Sequence, residues 1–163
     1  MNSWLGLSRY SLVFFKYIFG LYDNINLRFF NIITYINVFI YSIMYLYFIK
    51  IDTKKDNITK DVLSILIVIS SPVLLEQYNF TLQSPEVSFG MILMMISYIT
   101  TYKYLKDNKI IYSIITIVLL TLTFGIYQAF VNLYLLGVFI SIYKIKNNRK
   151  ANIIKSIIFL LLV

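Results

Sequence analysis

Neither cysteine nor histidine occurs among the 163 residues. Their absence removes disulfides, Cys/His zinc or haem ligation, and any Ser-His or Cys-His nucleophile pair. The candidate acids and bases shrink to seven carboxylates, the tyrosines and the lysines. Charge is scarce too: 13% of residues carry one, about half the roughly 25% usual for soluble domains. What fills the space is apolar, with 60% hydrophobic and 18% aromatic residues. A soluble fold of this size has too little interior to hide so much apolar surface. The chain therefore reads as an integral membrane protein, with the lipid bilayer as its first partner. Lys and Arg number 15 against 7 Asp and Glu, but they sit between apolar runs and form no clustered basic face. They are a topology signal, and no nucleic-acid partner is expected.

The apolar runs predict an all-α, polytopic transmembrane bundle treated as one partial domain over 1–163. Spans fall at about 29–49, 60–75, 86–102, 109–124 and 127–143, with the start of a further, truncated span at 151–163. The first is uncharged for 21 residues, which at roughly 1.5 Å per residue crosses about 30 Å of hydrocarbon. Asn31, Thr34 and Asn37 recur at i, i+3 and i+6 on it, so they share a face. That face either bonds to a neighbouring helix or lines a polar cavity. Ser84-Pro85-Glu86 is a helix start: Ser84 to cap, Pro85 in the first turn, and Glu86 against the positive helix end. Pro72 kinks or breaks the second span, leaving Ser70 and Ser71 to satisfy freed carbonyls. The run Ile110–Tyr143 has no charge over 34 residues, about 51 Å as one helix, too long for one span. Basic clusters flank it on both sides, so a hairpin with its turn near Gly125 keeps both on one face of the membrane.

The same rule orients the rest. Segments 50–61, 103–109 and 144–155 carry four, three and five basic residues, whereas 76–86 and the turn near 125 carry none. The basic segments face the cytoplasm and the others face out. Residues 2–23 form an interfacial amphipathic helix, in which Asn2, Arg9, Lys16 and Asp23 trace a polar stripe at intervals of seven. The run 151–163 stops short of a full crossing, and the start faces out, so the sequence reads as a piece of a longer protein.

Polar residues that are not loop charges collect on the outer side. They are Glu76, Gln77 and Tyr78 after Pro72, Tyr127 and Gln128 at the hairpin turn, and Trp4 to Arg9 on the surface helix. Amides and a carboxylate suit sugar hydroxyls, and a guanidinium suits a phosphate. The plainer reading makes Tyr78 and Trp4 interfacial anchors and Glu76 a solvated loop acid. Gln128 beside a buried turn needs hydrogen bonds. Asn57-Ile-Thr59 and Asn79-Phe-Thr81 match a glycosylation acceptor, a match that chance explains in so Asn-rich a chain. No metal site and no cofactor is legible.

The ordered strings "SWLGLSRYSLVFFKYIFG", "SSPVLLEQYNFTLQSPEVSFGMILMMISYI" and "LLTLTFGIYQAFVNLYL" resemble the membrane glucosyltransferase family of O-antigen modification, the Gtr-type-II family. The resemblance covers about 4–137 and rests on the order and spacing of a W…R element, a Pro-x-x-x-Glu element and Tyr-Gln-Ala. It implies a GT-C-like glycosyltransferase of the bacterial inner membrane, with its polar pocket on the outer face. Such an enzyme takes glucose from a polyprenyl-phosphate donor and transfers it to a surface polysaccharide acceptor. By position, it implies that Glu76 is catalytic or binds sugar hydroxyls, that Arg9 holds the donor phosphate, and that Gln77, Tyr78, Tyr127 and Gln128 bind substrate. Two departures stand out: Leu-Ser-Arg replaces the usual Gly-Arg, and the family's acidic pair does not precede Trp4. The chain alone is therefore expected to be inactive. The alternatives are a polysaccharide transporter or polymerase, which should place ionisable groups at mid-span, and a non-catalytic remnant.

Overall fold

The structure, a computed structural model, describes residues 10–18, 27–51, 57–70, 84–145 and 154. Its helices are α1 (Tyr10–Ile18), α2 (Leu27–Lys50), α3 (Ile58–Ile69), α4 (Ser84–Asp107), α5 (Ile110–Ile126) and α6 (Phe130–Lys144). No strand occurs among the described residues, and the fold class is all-α. One described helix, over Arg28–Lys50, is long and apolar enough to cross a membrane; α5 and α6 are apolar but shorter. Most of the surface helix expected over 2–23, Pro72 and all of the run 151–163 but residue 154 lie outside the described residues.

Local chemistry sets the helix ends. The Asn57 side chain accepts from the Lys60 N–H at 3.2 Å and caps α3, so the first Asn-x-Thr triplet spends its amide on a helix start. Pro85 sits in the first turn of α4, where a missing N–H costs nothing. Asn108 connects α4 to α5 with φ 54°, a left-handed conformation that asparagine tolerates better than most residues. The α5–α6 bend lies at Tyr127–Ala129 rather than at Gly125, which remains inside α5. Gly125 serves a close approach instead: a Cβ there would lie 2.6 Å from the Tyr10 ring and would also strike Ser11.

α4 is the central element, packed against α5, α2, α6 and α1, and α5 and α6 lean on it more than on each other. Its small residues admit neighbours, as where Gly90 receives the Phe130 ring. Met91, Met94 and Met95 fill the irregular gaps beside it. The polar face of α2 turns to α4, which settles its two readings in favour of helix pairing. Thr34 Oγ1 and Ser84 Oγ lie 2.9 Å apart, and Asn37 Nδ2 donates to Pro85 O at 3.2 Å and Ser88 Oγ at 3.1 Å. Thr100 and Thr116 join α4 to α5, and Thr101 and Tyr134 join it to α6.

The interior is thus rich in Ser and Thr, while α2, α5 and α6 turn Phe39, Tyr35, Ile114, Val118, Leu136 and Phe139 outward. At the end bearing the basic connections, Lys50 and Asp61 pair at 2.7 Å. There Lys144 Nζ also donates to Phe48 O at 2.6 Å and Ile49 O at 2.7 Å, closing the end of α2.

Candidate functional site

The opposite end of the bundle brings together α1, the start of α4, the end of α5 and the Tyr127–Ala129 turn. α1 lies across α5 and α4: Leu12 and Phe15 enter the core, Phe15 meets the Phe89 ring at 4.9 Å, and Tyr10 OH donates to Thr121 O at 2.9 Å. The turn is tight. Phe130 N–H donates to Tyr127 O at 3.1 Å and Val131 N–H to Gln128 O at 3.1 Å, so α6 starts at once. Tyr127 is half-buried with its ring edge-on to Phe130 at 5.9 Å.

Gln128 is exposed at the tip of the turn. Its amide is therefore not obliged by burial to find several partners, contrary to the expectation from the sequence. A three-residue turn at the end of the bundle points the side chain outward, and water can satisfy it. Among the six residues expected in the pocket, Tyr127 and Gln128 are brought to this end together. Arg9, Glu76, Gln77 and Tyr78 lie outside the described residues, as does Trp4.

The sequence reading missed an ion pair here. Lys16, expected on a water-facing stripe, reaches from α1 to Glu86, whose Oε1 is 3.7 Å from Lys16 Nζ. Glu86 is fully buried, and Lys16 keeps 17% of its side chain exposed. The helix start supports an acid at this place, because the free N–H groups of a first turn favour negative charge. A faint signal existed: Lys16 is the one charge inside the apolar string from Tyr10 to Ile18, and a lone charge on a buried helix face needs a partner. The partner is 70 positions away in the chain, and spacing alone does not identify it. Among the described residues no group of three Asp, Glu, His or Cys side chains converges on a point that could hold a metal.

A second feature lies farther along α4. A cavity of about 410 Å³ opens between α2, α3, α4 and α6, lined by Tyr41, Tyr45, Phe48, Val68, Met95 and Tyr98 among others. Its wall is overwhelmingly apolar.

Comparison with known proteins gives one match. No curated protein and no solved structure matches the chain. The family model described as glucosyl transferase GtrII matches residues 1–163, the whole sequence. The chain therefore belongs to the glucosyl transferase GtrII family.

Proposed function

We propose that the protein is a multi-pass membrane glucosyltransferase of the bacterial inner membrane, acting at its outer face. In this reading it moves glucose from a polyprenyl-phosphate carrier to a cell-surface polysaccharide such as O-antigen. The observation that carries the reading is the family match over residues 1–163. The distribution of polarity supports embedding in lipid: hydroxyls and amides are tied together inside, and large apolar side chains face out. In water such a surface would be an extended sticky patch. The apolar cavity against α4 supports a donor with a hydrocarbon tail, since its wall offers such a chain only dispersion contacts.

Within this reading, Tyr127 and Gln128 shape the sugar pocket from the turn. Glu76 assists proton transfer or binds sugar hydroxyls, Gln77 and Tyr78 extend that surface, and Arg9 holds the donor phosphate. A transporter or polymerase would be favoured by an ionisable group in the middle of a helix; Glu86 stands instead in the first turn of α4.

The test is glucose transfer from a lipid-linked donor in membranes holding the intact protein. Glu76→Gln is expected to abolish most transfer. Gln128→Ala is expected to lower it roughly tenfold, the weight of a hydrogen bond or two at a binding site. Wild-type rates in both variants would refute the assignment of the pocket.

A further inference from the structure

The first turn of α4 holds a carboxylate that its surroundings do not satisfy. Glu86 is fully buried, and no donor meets either carboxylate oxygen at full hydrogen-bond geometry, its own backbone N–H and Lys16 being the groups that come near to it. Lys16 Nζ, at 3.7 Å, is close enough for an ionic contact but beyond the about 2.7–3.2 Å of an N–H···O hydrogen bond. Donors close by in the fold are committed elsewhere. Ser84 Oγ meets Thr34, Ser88 Oγ donates to Pro85 O, and Asn37 Nδ2 donates to Pro85 O and Ser88 Oγ. A second orphan faces the same packing of α1: Ser11 Oγ is buried without a hydrogen bond, where a Cβ on Gly125 of α5 would touch it. Buried polar atoms seldom stay unpaired, and a buried charge with one distant counter-ion costs more than the attraction returns. An ionised carboxylate offers about four lone-pair positions. What would satisfy it is a ligand bringing O–H donors, which a lipid tail lacks and a sugar has in pairs.

We propose that Glu86 and Lys16 form a subsite for hydroxyls of the transferred sugar. This rests on the glucosyl-transfer reading above. Two neighbouring sugar hydroxyls donate to the two carboxylate oxygens. Lys16 is the reachable member of the pair, and its flexible stem lets the ammonium move from the carboxylate to a sugar oxygen as the ligand enters. Glu86 binds and orients here; the chemical step is left to other groups.

The test uses methyl glucoside and its monodeoxy analogues, titrated by ligand-observed NMR against the purified 163-residue chain in detergent. Glu86→Gln keeps the shape and removes the charge, and it is expected to weaken methyl glucoside roughly tenfold or more, since hydrogen bonds to charged groups are the strong ones. One deoxy analogue should bind worse than the parent sugar to the wild type but equally to Glu86→Gln, a signature that a merely structural role would not give. Equal affinity of wild type and a folded Glu86→Gln variant, or no binding by the wild type, overturns the subsite. Should Glu86→Gln fail to fold, Lys16→Met decides: severalfold weaker binding supports the proposal and unchanged binding overturns it. Transfer in membranes separates the two claims. Glucose transfer with a KM indifferent to Glu86→Gln removes the subsite and leaves the function. Glu86-dependent glucoside binding without transfer in the intact protein does the reverse.

Discussion

A methyl group at position 125 would collide with α1 before any other consequence arose. The close approach of α1 to α5 exists because Gly125 has no Cβ: the Tyr10 ring occupies its place, and Tyr10 OH anchors on Thr121 O about one turn of α5 from the contact. Gly125→Ala should therefore push α1 outward and lower stability by about 1–3 kcal/mol, the usual cost of overpacking. Thermal unfolding in detergent measures it. In the double variant with Tyr10→Ala the two losses should be less than additive, because one clash explains part of both. A midpoint equal to wild type would mean that α1 does not rest there. Glycine at a helix end has two uses, as a bend and as an approach, and the linear sequence does not say which. Reading Gly125 as the bend put the turn two residues early for that reason. Lys16 and Glu86 illustrate the same limit: each is visible as a charge in an apolar setting, and their pairing is a property of the packed α1–α4 interface.

Among the elements, the end of α2 is the most dependent on a single side chain. The last carbonyls of any helix have no partner within it. Here Lys144 of α6 donates to two of them, on Phe48 and Ile49, and to Ile51 O just beyond the helix, and its ammonium lies 5.1 Å from the centre of the Phe48 ring. In the sequence this lysine is indistinguishable from its neighbours in the 144–155 cluster, whose shared reading is as a topology signal. Lys144→Met should leave those carbonyls with weaker partners and cost about 1.5–3 kcal/mol, the range for a hydrogen bond to a charged donor. Hydrogen exchange should rise at residues 48–51 while the middle of α4 stays protected; unchanged exchange would show that the cap is dispensable. Lys144→Arg should keep most of the protection. The helices themselves were easier to foresee. Long uncharged runs bounded by Lys clusters and Ser-Pro-Glu at the start of α4 point to their existence and approximate limits, since these signals act within a few residues. The Asn57 cap is equally local, three residues from its donor, whereas the α2 polar face becomes the partner of α4 only once the packed neighbour is in place.

At the scale of the whole molecule, the polar end can meet a sugar only if the right ends of the helices share a compartment. α5 runs 17 residues from the connection at Asn108 to the turn at Tyr127, about 25 Å at 1.5 Å per residue. That is a little short of the roughly 30 Å hydrocarbon core, a mismatch that local thinning and interfacial aromatics accommodate at small cost. If the basic connections face the cytoplasm, the polar end with Glu86, Tyr127 and Gln128 faces outward. The absence of cysteine makes the experiment clean, because each introduced thiol is the sole one in the chain. Gln128, Asn108 and Lys60 are all exposed, and the Lys60 backbone N–H, which donates to the Asn57 cap, is kept when the side chain becomes a thiol. In intact spheroplasts an impermeant maleimide should label Gln128→Cys, and it should label Asn108→Cys and Lys60→Cys only after the membrane is opened. Labelling of 128 and 108 from the same side would mean that α5 does not cross. A carboxylate at the start of α4 would then have no outer compartment from which to receive a sugar.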